Sequence, residues 1–461
     1  MVAAESSNKP HIVILSSPGL GHIIPLFQLA KRLVIHHGCH VSFLAITTHS
    51  CAAQHRLLHS PDLPSDLQII NLPSADVSSF ITADMPVLHQ LYIIVHESLK
   101  PLRSILLGLM NRRPRPRALI IDIFTTLAFD VCVQIHIPVY LFFTPSLTLF
   151  TCSLFLPNLN RPENNMLDQV RNLNIDEYNL FLHQFSRMTM ATAIFFNTWV
   201  DFEPDQLQAI QKTKLFLEKP IPPIHPIGPL TKETEPEVSD SDEIIINWLN
   251  KQPPDSVLFI ALGSGGTLTR EQLTELALGI EMSRQRFIFV TRKPLNAGAP
   301  AAYFNADRTE LESDSDGYLP EGFRDRTAEI GLVVPGWAPQ VAILSHESTG
   351  GFLSHCGWNS TLESLVHGVP IIAWPLYAEQ MMNASALTGE LRVAVRPAEE
   401  GEVIGREEVE RVIRMLMEGE EGKIIRKRTK EMKVSAARSL SNGGSSFEEL
   451  SSVVETWKSI Q

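Results

Sequence analysis

The chain has 461 residues, of which 44% are hydrophobic and 20% charged, and its formal net charge is −12. These proportions are typical of a globular protein with a sizeable core, and the length allows two or three domains of ~100–200 residues each. The negative charge argues against nucleic acid and anionic membranes as partners, and it means that local groups must hold any anionic ligand.

The cysteines and the N-terminus favour a reducing, soluble setting. Five cysteines are scattered without metal-ligand spacing, and their odd number argues against a disulfide framework. The opening segment MVAAESSNKP has no signal-peptide core, and no run approaches the ~18 apolar residues of a membrane span. We therefore expect a cytoplasmic protein that does not insert into a membrane.

Strands and helices alternate from the start of the chain. The apolar run 11–19 ends in Pro-Gly and predicts a buried strand and a turn, residues 25–33 have helical spacing, and 39–47 predicts the next strand. Strand, helix and strand within ~30–40 residues form a βαβ unit, which implies a parallel sheet.

The alternation continues to about residue 229. Further strands are predicted at 67–73, 117–124, 139–144, 193–199 and 224–229, with helical spacing over 86–110 and 129–137. Residues 145–192 are rich in aromatic side chains and look irregular. They either line a binding pocket or cover the sheet.

A polar, acidic segment then interrupts the pattern. Residues 231–243 have no apolar period and are predicted to be an interdomain linker. After it, strands are predicted at 256–264, 286–292, 331–337 and 392–397, and charged helices follow at 405–440 and 446–459. This gives a first domain over 1–243, which includes the linker, and a second over 244–445.

The most informative stretch is residues 337–380, WAPQVAILSHESTGGFLSHCGWNSTLESLVHGVPIIAWPLYAEQ. Two tryptophans offer flat faces, and several carboxylates, amides and hydroxyls offer hydrogen bonds. Ser360 and Glu363 have the S-x-x-E spacing of a capping box and predict a helix start after the turn that contains His355. A helix N-terminus suits a phosphate, because its backbone N–H groups are unpaired and the macrodipole is positive there.

This segment resembles the sugar-nucleotide signature of plant family 1 UDP-dependent glycosyltransferases, with its W-A-P-Q opening, H-C-G-W-N-S centre and A-E-Q close. The similarity extends from about residue 11 to the C-terminus, and residues 263–279 resemble the phenolic-glucosylating, hydroquinone glucosyltransferase-like branch. The resemblance implies an α/β fold of the GT-B type, in which two Rossmann-like doubly wound domains face a cleft. We also expect the C-terminal helix, 446–461, to pack back on the first domain.

The resemblance implies an activity as well. It is inverting transfer of glucose from UDP-glucose to a small phenolic acceptor, such as a flavonoid, a simple phenol or a phenylpropanoid, to give a β-glucoside. UDP-glucose is a co-substrate, and no other cofactor or metal is expected. We expect the protein to act as a monomer.

Two residues are candidates for the base. His22 follows the first strand between glycines that allow a tight turn, and Asp122 ends the apolar strand 118–122. From the residues alone, a surface or capping group is the favoured interpretation of His22, and a cap for the next helix explains Asp122 as well as catalysis does. The resemblance implies that His22 is the general base and that Asp122 holds its imidazole.

The resemblance also assigns a donor site. It implies that Trp337 and Ala338 bind the uracil, Gln340 and Glu363 the ribose, Ser264, His355, Asn359 and Ser360 the phosphates, and Trp358, Glu379 and Gln380 the hexose. The implied role of Glu363 in ribose binding conflicts with its predicted role in the capping box, since both roles use the same carboxylate. Gln380 is the family's marker for glucose over galactose. One departure from the family pattern is Arg284, at a position where glycine is common.

Three other classes compete with this interpretation. A metal-dependent glycosyltransferase needs a D-x-D motif, but the two such triplets, at 240–242 and 314–316, lie in acidic, serine-rich segments. A nicotinamide dehydrogenase needs G-x-G-x-x-G, and the glycine pairs at 19–21 and 263–265 both lack the third glycine. A non-catalytic binder of small phenolics is disfavoured because the whole candidate base pair is present.

The acceptor and the bond formed stay open at this stage. An O-glucoside is favoured, and a C-glucoside on an electron-rich ring is the alternative. Candidate acceptor-binding residues come from the aromatic and apolar positions of the first domain: Tyr92, Ile94, Phe124, Leu147, Phe150, Phe181 and Phe185.

Overall fold

Parallel strands form two separate sheets in the computed structural model of the chain. It describes residues 9–60, 62–82, 85–155, 175–213, 220–233, 240–263, 265–294, 317–398 and 403–460. By contact density these residues divide into two units, which are residues 1–230 with 438–461, and residues 231–437. The sequence placed the two divisions at 243/244 and 445/446.

The sheet of the first unit has seven strands in the order β3-β2-β1-β4-β5-β6-β7. Neighbouring strands are parallel. The strands are β1 (His11–Ser16), β2 (His40–Ile46), β3 (Leu67–Leu72), β4 (Pro116–Asp122), β5 (Val139–Phe143), β6 (Ala193–Phe196) and β7 (Ile224–Pro226).

The sheet of the second unit has six strands in the order β10-β9-β8-β11-β12-β13. These pairs are also parallel. The strands are β8 (Val257–Ala261), β9 (Arg286–Thr291), β10 (Gly331–Pro335), β11 (Thr349–Ser354), β12 (Ile371–Ala373) and β13 (Ala394–Val395).

Helices connect the strands as expected for doubly wound sheets. In the first unit they are Leu20–His37, Ala52–Leu58, Val87–Ser98, Leu102–Met110, Ala128–Ile135, Leu147–Phe155, Ile175–Ser186, Pro204–Thr213 and Ser445–Ser459, with a 3₁₀ turn at Arg187–Met190. In the second they are Asp240–Leu249, Arg270–Ser283, Phe323–Thr327, Gln340–Ser345, Trp358–His367, Gln380–Gly389 and Arg406–Met417, while Glu420–Leu440 crosses the division between the units.

Each sheet has a point where the strand order reverses. In the first sheet it lies between β1 and β4, and in the second between β8 and β11. Open parallel sheets bind ligands beyond the carboxyl ends of their strands at this switch point. The fold therefore predicts that ligand-binding residues lie at the carboxyl ends of β1, β4, β8 and β11.

The last helix belongs to the core of the first unit. Leu450, Val454 and Trp457 are buried in the same apolar cluster as Ile12 of β1 and Phe43 of β2. The second unit has apolar cores of its own on its sheet, such as the cluster around Leu258 and Ile413.

Three local expectations were wrong. Where the structure describes residues 145–192, helices at Leu147–Phe155 and Ile175–Ser186 replace the irregular segment. A helix begins at Asp240, so the last four residues of the expected linker are helical. The first helix begins at Leu20 instead of Pro25, because Gly19 makes the turn with a φ of 99°, and Pro25 lies inside the helix as its sixth residue.

Candidate functional site: a His-Asp pair and a sugar-nucleotide segment

His22 and Asp122 follow the two strands at the switch point of the first sheet. The chain leaves β1, turns at Gly19 and begins a helix whose third residue is His22. Asp122 is the last residue of β4, which pairs directly with β1. The register of the sheet thus brings together two side chains that lie 100 positions apart in the sequence.

The two side chains form a hydrogen bond. His22 Nδ1 lies 2.8 Å from Asp122 Oδ2, and Asp122 is fully buried while 14% of the His22 side chain is exposed. The other carboxylate oxygen accepts the backbone N–H of Phe124 at 2.9 Å. Because an ionised carboxylate only accepts, the proton of a neutral imidazole sits on Nδ1. Nε2 is then left with its lone pair.

Two further residues surround the imidazole. The Thr144 hydroxyl, just after β5, lies 3.2 Å from Nδ1. The Phe124 ring lies 4.9 Å from the imidazole between centroids. Asp122 does not cap the following helix, which begins at Ala128 with no side-chain capping bond.

An apolar recess adjoins this pair. Its lining residues are Leu88, Leu91, Tyr92, Phe124, Leu180 and Gln184. Two of the acceptor candidates, Tyr92 and Phe124, line it. The structure instead places Ile94, Leu147, Phe150 and Phe185 in the buried core, and Phe181 packs against Phe185 with ring centroids 4.1 Å apart.

The signature segment surrounds the carboxyl edge of the second sheet. Trp337 follows β10, the turn 355–357 follows β11, and Glu379 lies beyond β12. Trp337 is 50% exposed and Ala338 is buried, as a stacking platform beside a backbone contact requires. Ser264, the one donor candidate outside this segment, lies outside the described residues.

Gln340, Ser360 and Glu363 form one hydrogen-bonded group. Gln340 Nε2 donates to Glu363 Oε2 at 2.6 Å and to Ser360 Oγ at 3.0 Å. Burial raises the pKa of Glu363 from 4.5 to about 7, and the bond from Gln340 opposes that rise. A desolvated carboxyl of this kind is a strong acceptor for a diol once it is ionised.

The predicted capping box is wrong. The helix begins at Trp358 with Gly357 at the N-cap, and no side chain caps it. Ser360 and Glu363 therefore lie inside the helix, and the carboxylate of Glu363 is not used as a cap. The conflict between capping and ribose binding disappears.

His355 is held between two glycines. A Cβ at Gly263 or at Gly357 would lie 2.5 Å from the imidazole, so only glycine leaves room for the ring in this position. Burial, and then the charge of Arg292, lower the pKa of His355 to about 4. The imidazole is therefore neutral at pH 7, and it offers a phosphate an N–H donor without a full charge.

The rest of the predicted donor set lies at the same edge. Asn359 is in the first turn of the helix Trp358–His367, and Trp358 is largely buried beneath that turn. Glu379 directly precedes the helix Gln380–Gly389. Gln380 Oε1 accepts the backbone N–H groups of Leu376 and Tyr377 at 2.8 and 3.0 Å, which orients its amide NH₂ as a donor.

Comparison with known proteins identifies the family. A sequence profile described as UDP-glucoronosyl and UDP-glucosyl transferase matches residues 312–423. UDP-glycosyltransferase 72B1 of Arabidopsis thaliana is 41% identical, over 98% of this chain and 97% of that protein. Hydroquinone glucosyltransferase of Rauvolfia serpentina is 40% identical, over 98% of each chain.

This chain belongs to the plant family 1 UDP-glycosyltransferases. The solved structure of TcCGT1 in complex with UDP matches with a TM-score of 0.88 and 38% identity, covering 98% of this chain and 99% of that one. The expected α/β fold of GT-B type, with two Rossmann-like domains, is confirmed. The chain is a glycosyltransferase that uses a UDP-sugar donor.

Sequence reasoning missed several residues around the glycosyltransferase site. Asn383 Nδ2 donates at 3.0 Å to the carbonyl of Cys356, whose φ of 63° makes the tight turn after His355. Arg292, just after β9, donates from Nε to the carbonyl of Gly336 at 3.3 Å, next to Trp337. A polar or basic residue at the end of a predicted strand was the available signal for Arg292 and for Thr144.

The described residues of the glycosyltransferase show neither a metal-binding cluster nor a membrane-spanning helix. Within the part of the chain that the structure describes, no cluster of three or more His, Cys, Asp or Glu side chains is arranged to hold a metal ion. Of the two D-x-D triplets, 240–242 begins a helix and 314–316 lies outside the described residues. No described helix is long and apolar enough to cross a membrane.

Proposed function

We propose that this enzyme transfers glucose from UDP-glucose to a hydroxyl of a small phenolic acceptor, with inversion, to give a β-glucoside. The observation that carries the proposal is the 2.8 Å bond between His22 Nδ1 and Asp122 Oδ2 at the switch point of the first sheet. It fixes a histidine whose Nδ1 carries the proton and whose Nε2 is the acceptor nitrogen, and Phe124 links this imidazole to an apolar recess. Such an arrangement is what a base for an aromatic hydroxyl requires.

The base has to increase the nucleophilicity of the acceptor. A phenol with a pKa of ~10 is almost fully protonated at neutral pH and is a weak nucleophile. His22 Nε2 takes its proton as the oxygen attacks the anomeric carbon, and Asp122 stabilises the imidazolium that forms. General-base assistance of this kind contributes ~10²–10⁴-fold to the rate.

The donor is bound by the second unit. Trp337 stacks on the uracil, whose edge meets the backbone of Ala338. Gln340 and Glu363 bind the ribose hydroxyls. The phosphates are bound by residues at the turn after β11 and at the start of the next helix: His355, Asn359 and Ser360. Helix N-termini suit anions, and this one is needed because the protein as a whole carries a net charge of −12.

The sugar is positioned by groups near the turn after β12. The oxygen of the Gln380 amide accepts two backbone N–H groups, so its NH₂ is the donor end of the side chain. Together with Glu379 and Trp358 it would bind the hexose hydroxyls and favour glucose. Attack on the face opposite the leaving UDP converts an α-linked donor into a β-glucoside.

The acceptor class is supported by the relatives and by the recess. One relative is a hydroquinone glucosyltransferase. The recess beside His22 is lined by an aromatic ring from each of two segments, Tyr92 and Phe124. We propose phenolic acceptors and an O-glucoside. The same base also suits C-glucosylation, because a ring carbon of a deprotonated electron-rich phenol can attack.

The experiment is a product assay with UDP-glucose and a panel of simple phenols, flavonoids and phloretin-like acceptors. The proposal predicts β-glucosides by NMR anomeric coupling, full activity in EDTA, and release of glucose on acid hydrolysis. Products that survive hydrolysis would replace the O-glucoside with a C-glucoside. Retention of the α configuration, or loss of activity in EDTA that Mg²⁺ or Mn²⁺ restores, would overturn the mechanism.

A further inference from the structure

The recess beside His22 is lined mainly by apolar side chains, together with the phenol ring of Tyr92 and one amide, Gln184. Helix Val87–Ser98 contributes Leu88, Leu91 and Tyr92, and helix Ile175–Ser186 contributes Leu180 and Gln184, which are one turn apart. Gln184 is only 7% exposed. A buried amide costs free energy unless hydrogen bonds satisfy it, so its presence in an apolar wall calls for a partner.

Part of the Gln184 amide is already bound. The hydroxyl of Thr126, which is fully buried, donates to Gln184 Oε1. Arg187 in turn donates from Nε to the Thr126 carbonyl at 3.3 Å and from a guanidinium NH₂ to Asp130 at 2.7 Å. With Oε1 bonded to the Thr126 hydroxyl, Nε2 is the remaining donor of the amide.

The recess is connected to the candidate base through Phe124. The Phe124 ring lines the recess and lies 4.9 Å from the His22 imidazole, and its backbone N–H is bound to Asp122. The recess contains about 210 Å³ of empty space, including the part open to solvent. Because this space is partly open, an acceptor ring bound there would lie partly in solvent.

We infer that Gln184 determines acceptor specificity by donating a hydrogen bond from Nε2 to a second oxygen on the aromatic ring, distinct from the hydroxyl that receives the sugar. The inference rests on the proposed function, since it concerns the acceptor of that reaction. It names the acceptor class more narrowly: single rings, or terminal rings of larger phenolics, that carry two oxygen substituents. A phenol that is otherwise apolar leaves the amide unpaired when it binds.

The test compares acceptors that differ by one group. The pairs are hydroquinone with 4-methylphenol, resorcinol with 3-methylphenol, and catechol with 2-methylphenol, with kcat/KM corrected for the two equivalent hydroxyls of each diol. A hydrogen bond worth ~0.5–1.5 kcal/mol predicts that the wild-type enzyme favours the diol of at least one pair by ~2–12-fold, mainly through KM. For that pair, the methoxyphenol with the same substitution pattern (4-, 3- or 2-methoxyphenol) should have a kcat/KM close to that of the diol. Its ether oxygen can still accept a hydrogen bond from Gln184.

Gln184→Leu should reduce this preference to about one, because it lowers kcat/KM for the diol without a matching loss on the methylphenol. Gln208→Leu, on the exposed surface of helix Pro204–Thr213, is the matched control and should keep the preference. Because Gln184 is buried, Gln184→Met and Thr126→Val serve as second variants, and UDP binding by the intact enzyme shows that each is folded. Thr126→Val frees the amide to rotate, so it should weaken the preference as well.

Two results would overturn the inference and leave the proposed function intact. One is the absence of a corrected preference in all three wild-type pairs. The other is an equal loss on diol and methylphenol in the folded Gln184 variants, which indicates a packing role alone. Failure of the wild-type enzyme to glucosylate any of these phenols would instead contradict the proposed function.

Discussion

Gln340 Nε2 donates a 2.6 Å hydrogen bond to Glu363 Oε2, and this bond joins two consecutive helices of the sugar-nucleotide segment. The bond orients a buried carboxyl group, and both this bond and the charge of Lys232 oppose the effect of burial on its pKa. Burial is the larger effect, and it makes the second unit sensitive to pH close to neutrality.

The first prediction concerns pH and donor binding. Since burial raises the pKa of Glu363 to about 7, its protonated form favours the folded state. That contribution is complete below pH 4.5 and is lost as pH rises through about 7. Binding of the ribose diol requires the ionised form, so UDP affinity should fall roughly tenfold per pH unit below 7 and binding should release a proton.

Calorimetry in buffers of different ionisation enthalpy between pH 5.5 and 8 measures this effect. Glu363→Gln is the control, because it keeps the shape and removes the titration, while the ionisation of UDP itself is common to both proteins. The pKa of His355, about 4, lies below this window. Identical pH profiles for the two proteins would contradict the assignment.

The second prediction concerns the space around His355. In Gly357→Ala the new Cβ would lie 2.5 Å from the imidazole, while the backbone, with φ −61° and ψ 143°, accepts alanine without strain. We expect the ring to be displaced and UDP affinity to fall by about tenfold or more, as for loss of a charge-assisted bond worth ~1.5–3 kcal/mol. Titration with UDP measures the loss.

The control for that prediction is Gly389→Ala. Nothing lies within 4 Å of a Cβ at Gly389, so its affinity should match the wild type. If Gly357→Ala binds UDP normally, His355 is not the phosphate donor in this position.

The third prediction separates two substitutions of Asp122. In Asp122→Asn the side-chain oxygen still accepts the backbone N–H of Phe124. The amide NH₂ of the new side chain therefore faces His22 Nδ1, where the second carboxylate oxygen lies in the wild type. Nδ1 must then accept, the proton moves to Nε2, and the base is lost. In Asp122→Ala neither tautomer is imposed. Asparagine should therefore lower kcat more than alanine does, with UDP affinity unchanged, and the reverse order would contradict the tautomer assignment.

The fourth prediction concerns stability. Arg284 ends the helix Arg270–Ser283 in the left-handed conformation, with φ 54°, where glycine is favoured. Arg284→Gly should raise the free energy of unfolding by roughly 0.5–1 kcal/mol without changing kcat/KM. Chemical denaturation measures the change, and destabilisation would mean that the arginine side chain makes a larger contribution than the backbone strain.

The sheets could be predicted from the sequence because buried parallel strands are short apolar runs. The strand at 11–19 and the one ending at Asp122 were found in this way, and the switch-point rule explains why residues so far apart meet. The last strand was predicted at 392–397, and β13 occupies only Ala394–Val395 of that range. The helix starts were less accessible. At Trp358, the local S-x-x-E pattern pointed to Ser360, whereas the turn at Cys356 and Gly357 sets the true start.

The part of the site that lies within one segment could be predicted from the sequence. The contacts between segments that are distant in the sequence could not. The donor residues of 337–380 follow each other along one edge, so a single motif contains nearly all of them. The contact between Thr126 and Gln184 joins positions 58 residues apart, and no local pattern marks either residue. Likewise, Leu147 and Phe150 are apolar residues of the kind that line binding pockets. Only their complete burial in the structure shows that they belong to the core.

The central claim is that His22 Nε2 is the base, and the most direct measurement is the dependence of kcat/KM on acceptor pKa for His22→Ala. Across phenols with pKa from ~7 to ~10, the wild type should vary little, whereas the variant should lose ~10²–10⁴-fold on the least acidic phenol and much less on a nitrophenol that is already ionised. UDP affinity should stay unchanged, and the exposed His59→Ala should behave as wild type. Near-normal turnover of an unactivated phenol by His22→Ala, or a loss that is equal at every acceptor pKa, would contradict the account.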